Sequence, residues 1–99
     1  MLKVKITILL FFFITGLQGF TSLSSNGKAL YEQHCARCHG NDGTRGMFGA
    51  KNLQMSILPD SALILQIQNG KRIMPSFKRK FTLEEIYAVS NYIKSFRKL

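Results

Sequence analysis

Only two cysteines and two prolines occur in this 99-residue chain, and no tryptophan. Two cysteines permit at most one disulfide, too few to staple a small fold by cross-links alone. Acidic side chains are scarce too. Five Asp and Glu stand against fourteen Lys and Arg, a formal net charge of +9. Such a balance points to an acidic partner surface or an anionic membrane face. The basic residues follow no nucleic-acid recognition motif, which argues against nucleic acid as the partner. Internal repeats and low-complexity segments are absent, and no alternating pattern marks a strand. The glycine-rich stretch 40–49 is not followed by Gly-Lys-Ser/Thr, so it is not a phosphate-binding loop.

No apolar run reaches the roughly 20 residues that a membrane span requires. The run that exists, Ile6 to Ile14, follows Lys3 and Lys5 and gives way to small and polar residues through Ser25. A basic start, a short apolar centre and a small-residue exit are the layout of a secretory leader. Residues 1–24 are therefore expected to be a signal peptide, cleaved after Ser24, with retention as a membrane tether as the alternative. Residues 25–99 then form one domain, with twelve basic against five acidic residues and a net charge of +7. A domain of this size sits near the lower limit for an apolar core, and a cofactor or metal usually completes it.

Within that domain the periodicity is helical. A helix is expected over residues 27–37, capped by Ser25 or Asn26, with Leu30 and Tyr31 facing inward. Gly40, Gly43, Gly46 and Gly49 break regular structure, so residues 40–58 read as a loop. A second helix starts near Pro59 with Asp60 or Ser61 as its cap. It buries Leu63, Ile64 and Ile67 and stops at Gly70. Pro75 makes residues 71–81 a loop. Thr82 and Glu85 have capping-box spacing, and Ile86, Val89, Ile93 and Phe96 recur on one face of the helix they begin. Lys94, Arg97 and Lys98 complement its negative end. The fold class is all-α.

The chemistry concentrates in Cys35-Ala36-Arg37-Cys38-His39. On a helical turn, residues three and four apart share a face. Both thiols can then add to the vinyl groups on one edge of a haem, with the adjacent imidazole placed to bind its iron. C-x-x-C-H is the attachment signal for c-type haem. Two other readings of the same residues stay open. A redox or structural disulfide would use Cys35 and Cys38, but its usual βαβ setting is missing. A zinc module would use Cys35, Cys38, His39 and His34, but no second Cys/His pair follows downstream.

Beyond the motif, the stretch from Gly27 to Leu99 resembles a short, single-haem class I cytochrome c of the bacterial, periplasmic type. Gly27, Tyr31 and Tyr92 are similar to that family's contact between terminal helices. Cys35 to His39, with Gly40, Asp42 and Gly43, resembles its haem-binding stretch. Asn69-Gly70-Lys71, Met74-Pro75 and Phe77 resemble the loop that supplies the second iron ligand. The resemblance implies three main helices and their loops around one covalent haem c, held by Cys35 and Cys38. It further implies iron ligated axially by His39 and Met74; of the other methionines, Met55 is the runner-up, and Met47, close to His39 in sequence, is expected to pack beside the ring. One departure stands out. Relatives carry a proline after the haem-binding loop whose carbonyl accepts from the ligand imidazole, whereas Gly49-Ala50-Lys51-Asn52 has none. A carbonyl in the 50–53 region is expected to replace it.

The implied function is single-electron transfer without catalysis, between respiratory or periplasmic redox partners. His/Met ligation raises the reduction potential and closes the iron to exogenous ligands. The alternative is an electron-transfer subunit of a periplasmic dehydrogenase or oxidase complex. Lys71, Arg72, Lys78, Arg79 and Lys80 flank Met74 and are expected to steer acidic partners toward it. His34 is expected to be a solvent-exposed neighbour of the motif.

Overall fold

A computed structural model describes residues 26–98. The expected leader over residues 1–24 lies outside the described residues. Among the described residues, four helical segments and a single 3-10 turn make up the regular structure: α1 (Gly27–His34), α2 (Ala36–His39), the turn Met47–Gly49, α3 (Asp60–Asn69) and α4 (Leu83–Lys94). Apart from an isolated bridge between Lys71 and Met74, no β-structure occurs among the described residues. The all-α expectation holds.

Asn26 caps α1, its side chain accepting from the Ala29 N–H at 3.2 Å. The expected single helix over 27–37 instead divides at Cys35 and continues to His39. The division is slight. Cys35 keeps right-handed angles (φ −116°, ψ −35°), its N–H reaches Tyr31 O at 2.8 Å, and its carbonyl accepts from His39 N at 3.1 Å. At α3 the expected Asp60 or Ser61 cap is replaced by Pro59, which makes no side-chain cap bond. Asp60 sits inside the first turn, where a carboxylate meets the positive helix end. From there it also pairs with Lys94 of α4 at 2.9 Å. The capping box of α4 forms as expected: Thr82 Oγ1 accepts from Glu85 N at 3.2 Å, and Glu85 Oε1 accepts from Thr82 N at 2.9 Å.

The core lies where α1 and α3 meet α4. Tyr31, Leu63, Ile67, Ile86, Val89 and Ile93 are buried there, with Phe77 and Phe81 contributed by the 71–81 loop. Packing of α1 on α4 depends on Gly27. A Cβ there would drive into the Ala88 carbonyl of α4 and come within 3.2 Å of Tyr92 Cβ. The close approach brings Tyr31, Tyr92 and Phe96 into a mutual cluster with ring centroids 5.0–5.4 Å apart. These tilted and edge-on geometries are the favourable ones for aromatic pairs. The expected terminal-helix contact is therefore present.

Candidate functional site

Cys35, Cys38 and His39 occupy one turn, at the junction of α1 and α2 and the end of α2. Both thiols are free and half-buried. Burial pushes the Cys35 thiol up to about 11, and the neighbouring Cys38 adds to the rise. The chain leaves α2 through Gly40, whose left-handed φ of 83° and near neighbour Arg45 exclude a side chain. Three contacts fix this exit. The Tyr31 hydroxyl donates to Gly40 O at 2.6 Å, Arg45 N donates to His39 O at 2.8 Å, and the Arg45 guanidinium donates to Arg37 O at 3.1 Å. Burial raises the Tyr31 phenol above its ordinary value, so it stays a neutral donor.

The His39 ring has a defined partner. Its Nδ1 lies 3.0 Å from Lys51 O. A carbonyl only accepts, so Nδ1 carries a proton, and Nε2 is the nitrogen left over for a metal. Lys51 thus supplies the acceptor that sequence reasoning placed in the 50–53 region without naming it. No side-chain signal identifies a backbone carbonyl; only the path of the loop does. That path bends back on itself: Leu53 N donates to Gly43 O at 2.9 Å and Gln54 Nε2 to Asp42 O at 3.0 Å. Asp42 is held in turn by Thr44, whose N–H and hydroxyl both donate to Oδ1, at 3.1 and 2.7 Å. These bonds pull the Asp42 carboxyl below its ordinary value.

Met74 sits in a loop tied to the end of α3. Lys71 and Met74 exchange two backbone bonds of 3.0 Å, and Phe77 N donates to Ile67 O at 3.1 Å. Gly70 permits the turn: its φ is 70°, and a Cβ would lie 2.7–2.8 Å from the Pro75 carbonyl group. Gln66 Nε2 lies 4.0 Å from Met74 Sδ, a weak contact that sequence reasoning missed although Gln66 and Met74 are only eight residues apart. His34 departs from expectation. It is half-buried, edge-on to Phe81 at 5.1 Å and to Phe77 at 6.0 Å, where those two rings stack at 4.8 Å. The end of α1 meets the Met74 loop there, so the imidazole packs on the ring stack and is only partly exposed.

Large apolar side chains stand in water on the segments around these residues. Phe48, Met55, Ile57 and Ile73 are 61–78% exposed. In so small a domain, that many exposed large apolar side chains is more than scattered surface residues account for. Two thiols and an imidazole on one turn, with a thioether carried by the 71–81 loop, are residue types that suit a covalently held haem.

Comparison with known proteins agrees. The family model described as Cytochrome C oxidase, cbb3-type, subunit III matches residues 23–93. Cytochrome c6 of Pyropia yezoensis is 32% identical over 101 residues, covering 95% of this chain and 91% of the relative. The chain belongs to the class I c-type cytochromes. Cytochrome c6 of Leptolyngbya boryana is 32% identical over 73 residues, covering 68% of this cytochrome and 85% of the relative. The solved c-type cytochrome KustC0563 matches with a TM-score of 0.67 at 35% identity, covering 74% of this cytochrome and 99% of that chain. This cytochrome is accordingly a small electron carrier between redox partners, not an enzyme, and its cofactor is a covalent haem c with its iron. Among the described residues, no helix is long and apolar enough to cross a membrane.

Proposed function

We propose that Cys35 and Cys38 form the thioether links to the haem, that His39 and Met74 are its axial ligands, and that the protein carries single electrons between exported partners. The observation that carries the ligand assignment is the 3.0 Å contact between His39 Nδ1 and Lys51 O, which leaves Nε2 as the metal-binding nitrogen. When bound, the haem supplies the one-electron chemistry; the chain orients it and keeps its iron from other ligands. Met74 is the methionine supported for the second position, because its loop is anchored at both Gly70 and Phe77. Lys71, Arg72, Lys78, Arg79 and Lys80 flank it and face solvent. In this reading they steer acidic redox proteins toward the haem, and an anionic membrane surface offers a second attraction. Residues 1–24 direct export, after which the domain works in the periplasm, free or tethered.

The test is expression of the full-length chain in a host that attaches haem, with optical spectra and haem-stained denaturing gels. Covalent haem is expected, with a weak ferric methionine–iron band that disappears in Met74→Ala. Haem with an unchanged band would transfer the role to Met55. No haem, from a host that matures a control cytochrome, would overturn the assignment. The description of the matching family as an oxidase subunit favours a second reading, an electron-transfer subunit of an enzyme complex. A stoichiometric partner that stays bound in high salt would select it.

A further inference from the structure

The bond from His39 Nδ1 ends on Lys51, a residue free to rotate about φ where proline is not. Something else must hold that carbonyl toward the ring. Upstream, the loop offers little. Gly46, Phe48 and Gly49 all have left-handed angles (φ 70°, 55° and 79°), nothing lies within 4 Å of a Cβ on Gly49, and Ala50 N bonds only locally, to Met47 O at 3.1 Å. Downstream the picture is different. The Lys51 carbonyl belongs to the peptide unit that Asn52 completes. Asn52 Oδ1 accepts from Gln54 N at 3.0 Å, and Asn52 O accepts from Met55 N at 3.2 Å. Within this doubly closed turn, Leu53 is buried and its N–H reaches Gly43 O at 2.9 Å, four residues after His39. The turn is therefore referenced to the same segment that carries the imidazole.

We propose that Asn52 is a positioning residue for His39: its side chain closes the turn that aims the Lys51 carbonyl at Nδ1. The inference rests on His39 being the axial ligand. An acceptor on Nδ1 makes the imidazole a stronger electron donor through Nε2, which favours ferric iron and lowers the potential. Losing the side-chain acceptor lets the peptide rock, weakens the Nδ1 bond and raises the potential. Asparagine is suited to the task because its carboxamide oxygen reaches the N–H two residues on, and aspartate shares that reach.

The experiment uses the haem-loaded full chain and compares Asn52→Ala, Asn52→Asp and Asn52→Ser with wild type. Two quantities are read on the reduced protein and the redox couple: exchange of the His39 Nδ1 proton with D2O by NMR, and the reduction potential. Asn52→Ala is expected to exchange that proton at least tenfold faster. It should also move the ferric-to-ferrous ratio at fixed poise about threefold toward ferrous, roughly 30 mV for a one-electron couple. Asn52→Asp should restore slow exchange, and Asn52→Ser should fall between. Ser56→Ala, which removes a longer 3.5 Å side-chain contact to Leu58 N just past the acceptor turn, should alter neither quantity. If Asn52→Ala fails to mature, the ordering of the aspartate and serine variants decides. Equal exchange rates and potentials across the haem-loaded Asn52 variants would overturn the proposal. Absence of haem from wild type would instead overturn the ligand assignment beneath it, so the two failures are distinct.

Discussion

Gly27→Ala is the most direct test of how the fold is held. The added methyl would meet the Ala88 carbonyl of α4, a backbone group that cannot rotate away, and would press on Tyr92 Cβ at 3.2 Å. Relief requires α1 and α4 to part. Overpacking of this kind costs about 1–3 kcal/mol. Parting also loosens the Tyr31–Tyr92 contact at 5.4 Å, a class of pair worth about 0.5–1.5 kcal/mol. Against this, alanine gains at most about 1 kcal/mol over glycine in a helix, and less at a first-turn position. A net loss of about 1–3 kcal/mol follows. For a domain of this size that corresponds to a fall in Tm of roughly 5–20 °C. Denaturant and thermal unfolding of the haem-loaded protein measure it. Gly49→Ala is the contrasting case, since no atom lies within 4 Å of its Cβ. Its cost should be only the backbone strain of a φ of 79°, about 1–2 kcal/mol. A Gly27→Ala protein within 0.5 kcal/mol of wild type would refute the argument, because it would mean that the terminal helices separate freely.

Other perturbations probe other elements. Gly70→Ala places a side chain against Met74 and Pro75 at a glycine-only backbone angle, so it should cost about 1–3 kcal/mol. It should also weaken the ferric methionine–iron band while leaving covalent haem on a stained gel. Thr82→Ala removes one half of the capping box and should lower stability by about 1 kcal/mol, read from the urea midpoint at unchanged m-value. Asp42 has a carboxyl held below its ordinary 3.8 by the Thr44 bonds. Its contribution is therefore present above pH 3.8 and is lost as pH falls through its lower folded value. The stability gap between wild type and Asp42→Asn should then close in strong acid. A gap that stayed constant from pH 7 to pH 2 would exclude that coupling.

Much of this protein is legible in local spacing. Thr82 and Glu85 announce their capping box because both partners lie within one helical turn. Ile86, Val89 and Ile93 declare a buried face because a helix repeats every 3.6 residues. Cys35, Cys38 and His39 read as a haem motif because the chemistry needs them on one turn, and the family comparison bears out the cytochrome they imply. The ion pair of Asp60 and the packing of His34 are not legible in local spacing, for a common reason. Their roles depend on what another segment presents: Lys94 across the α3–α4 contact for the first, and the Phe77–Phe81 stack for the second. Residue type and sequence neighbours carry no information about either.

By itself, then, the sequence determined the helices, the Asn26 and Thr82 caps and the placing of Cys35, Cys38 and His39 on one turn, all of which depend on interactions within a few residues. Tertiary structure decided which backbone carbonyl orients His39, how closely α1 approaches α4, and which side chains surround the Met74 loop. Those outcomes follow from the path of loops rich in left-handed glycine, where backbone groups alike in every residue are told apart only by where the chain takes them.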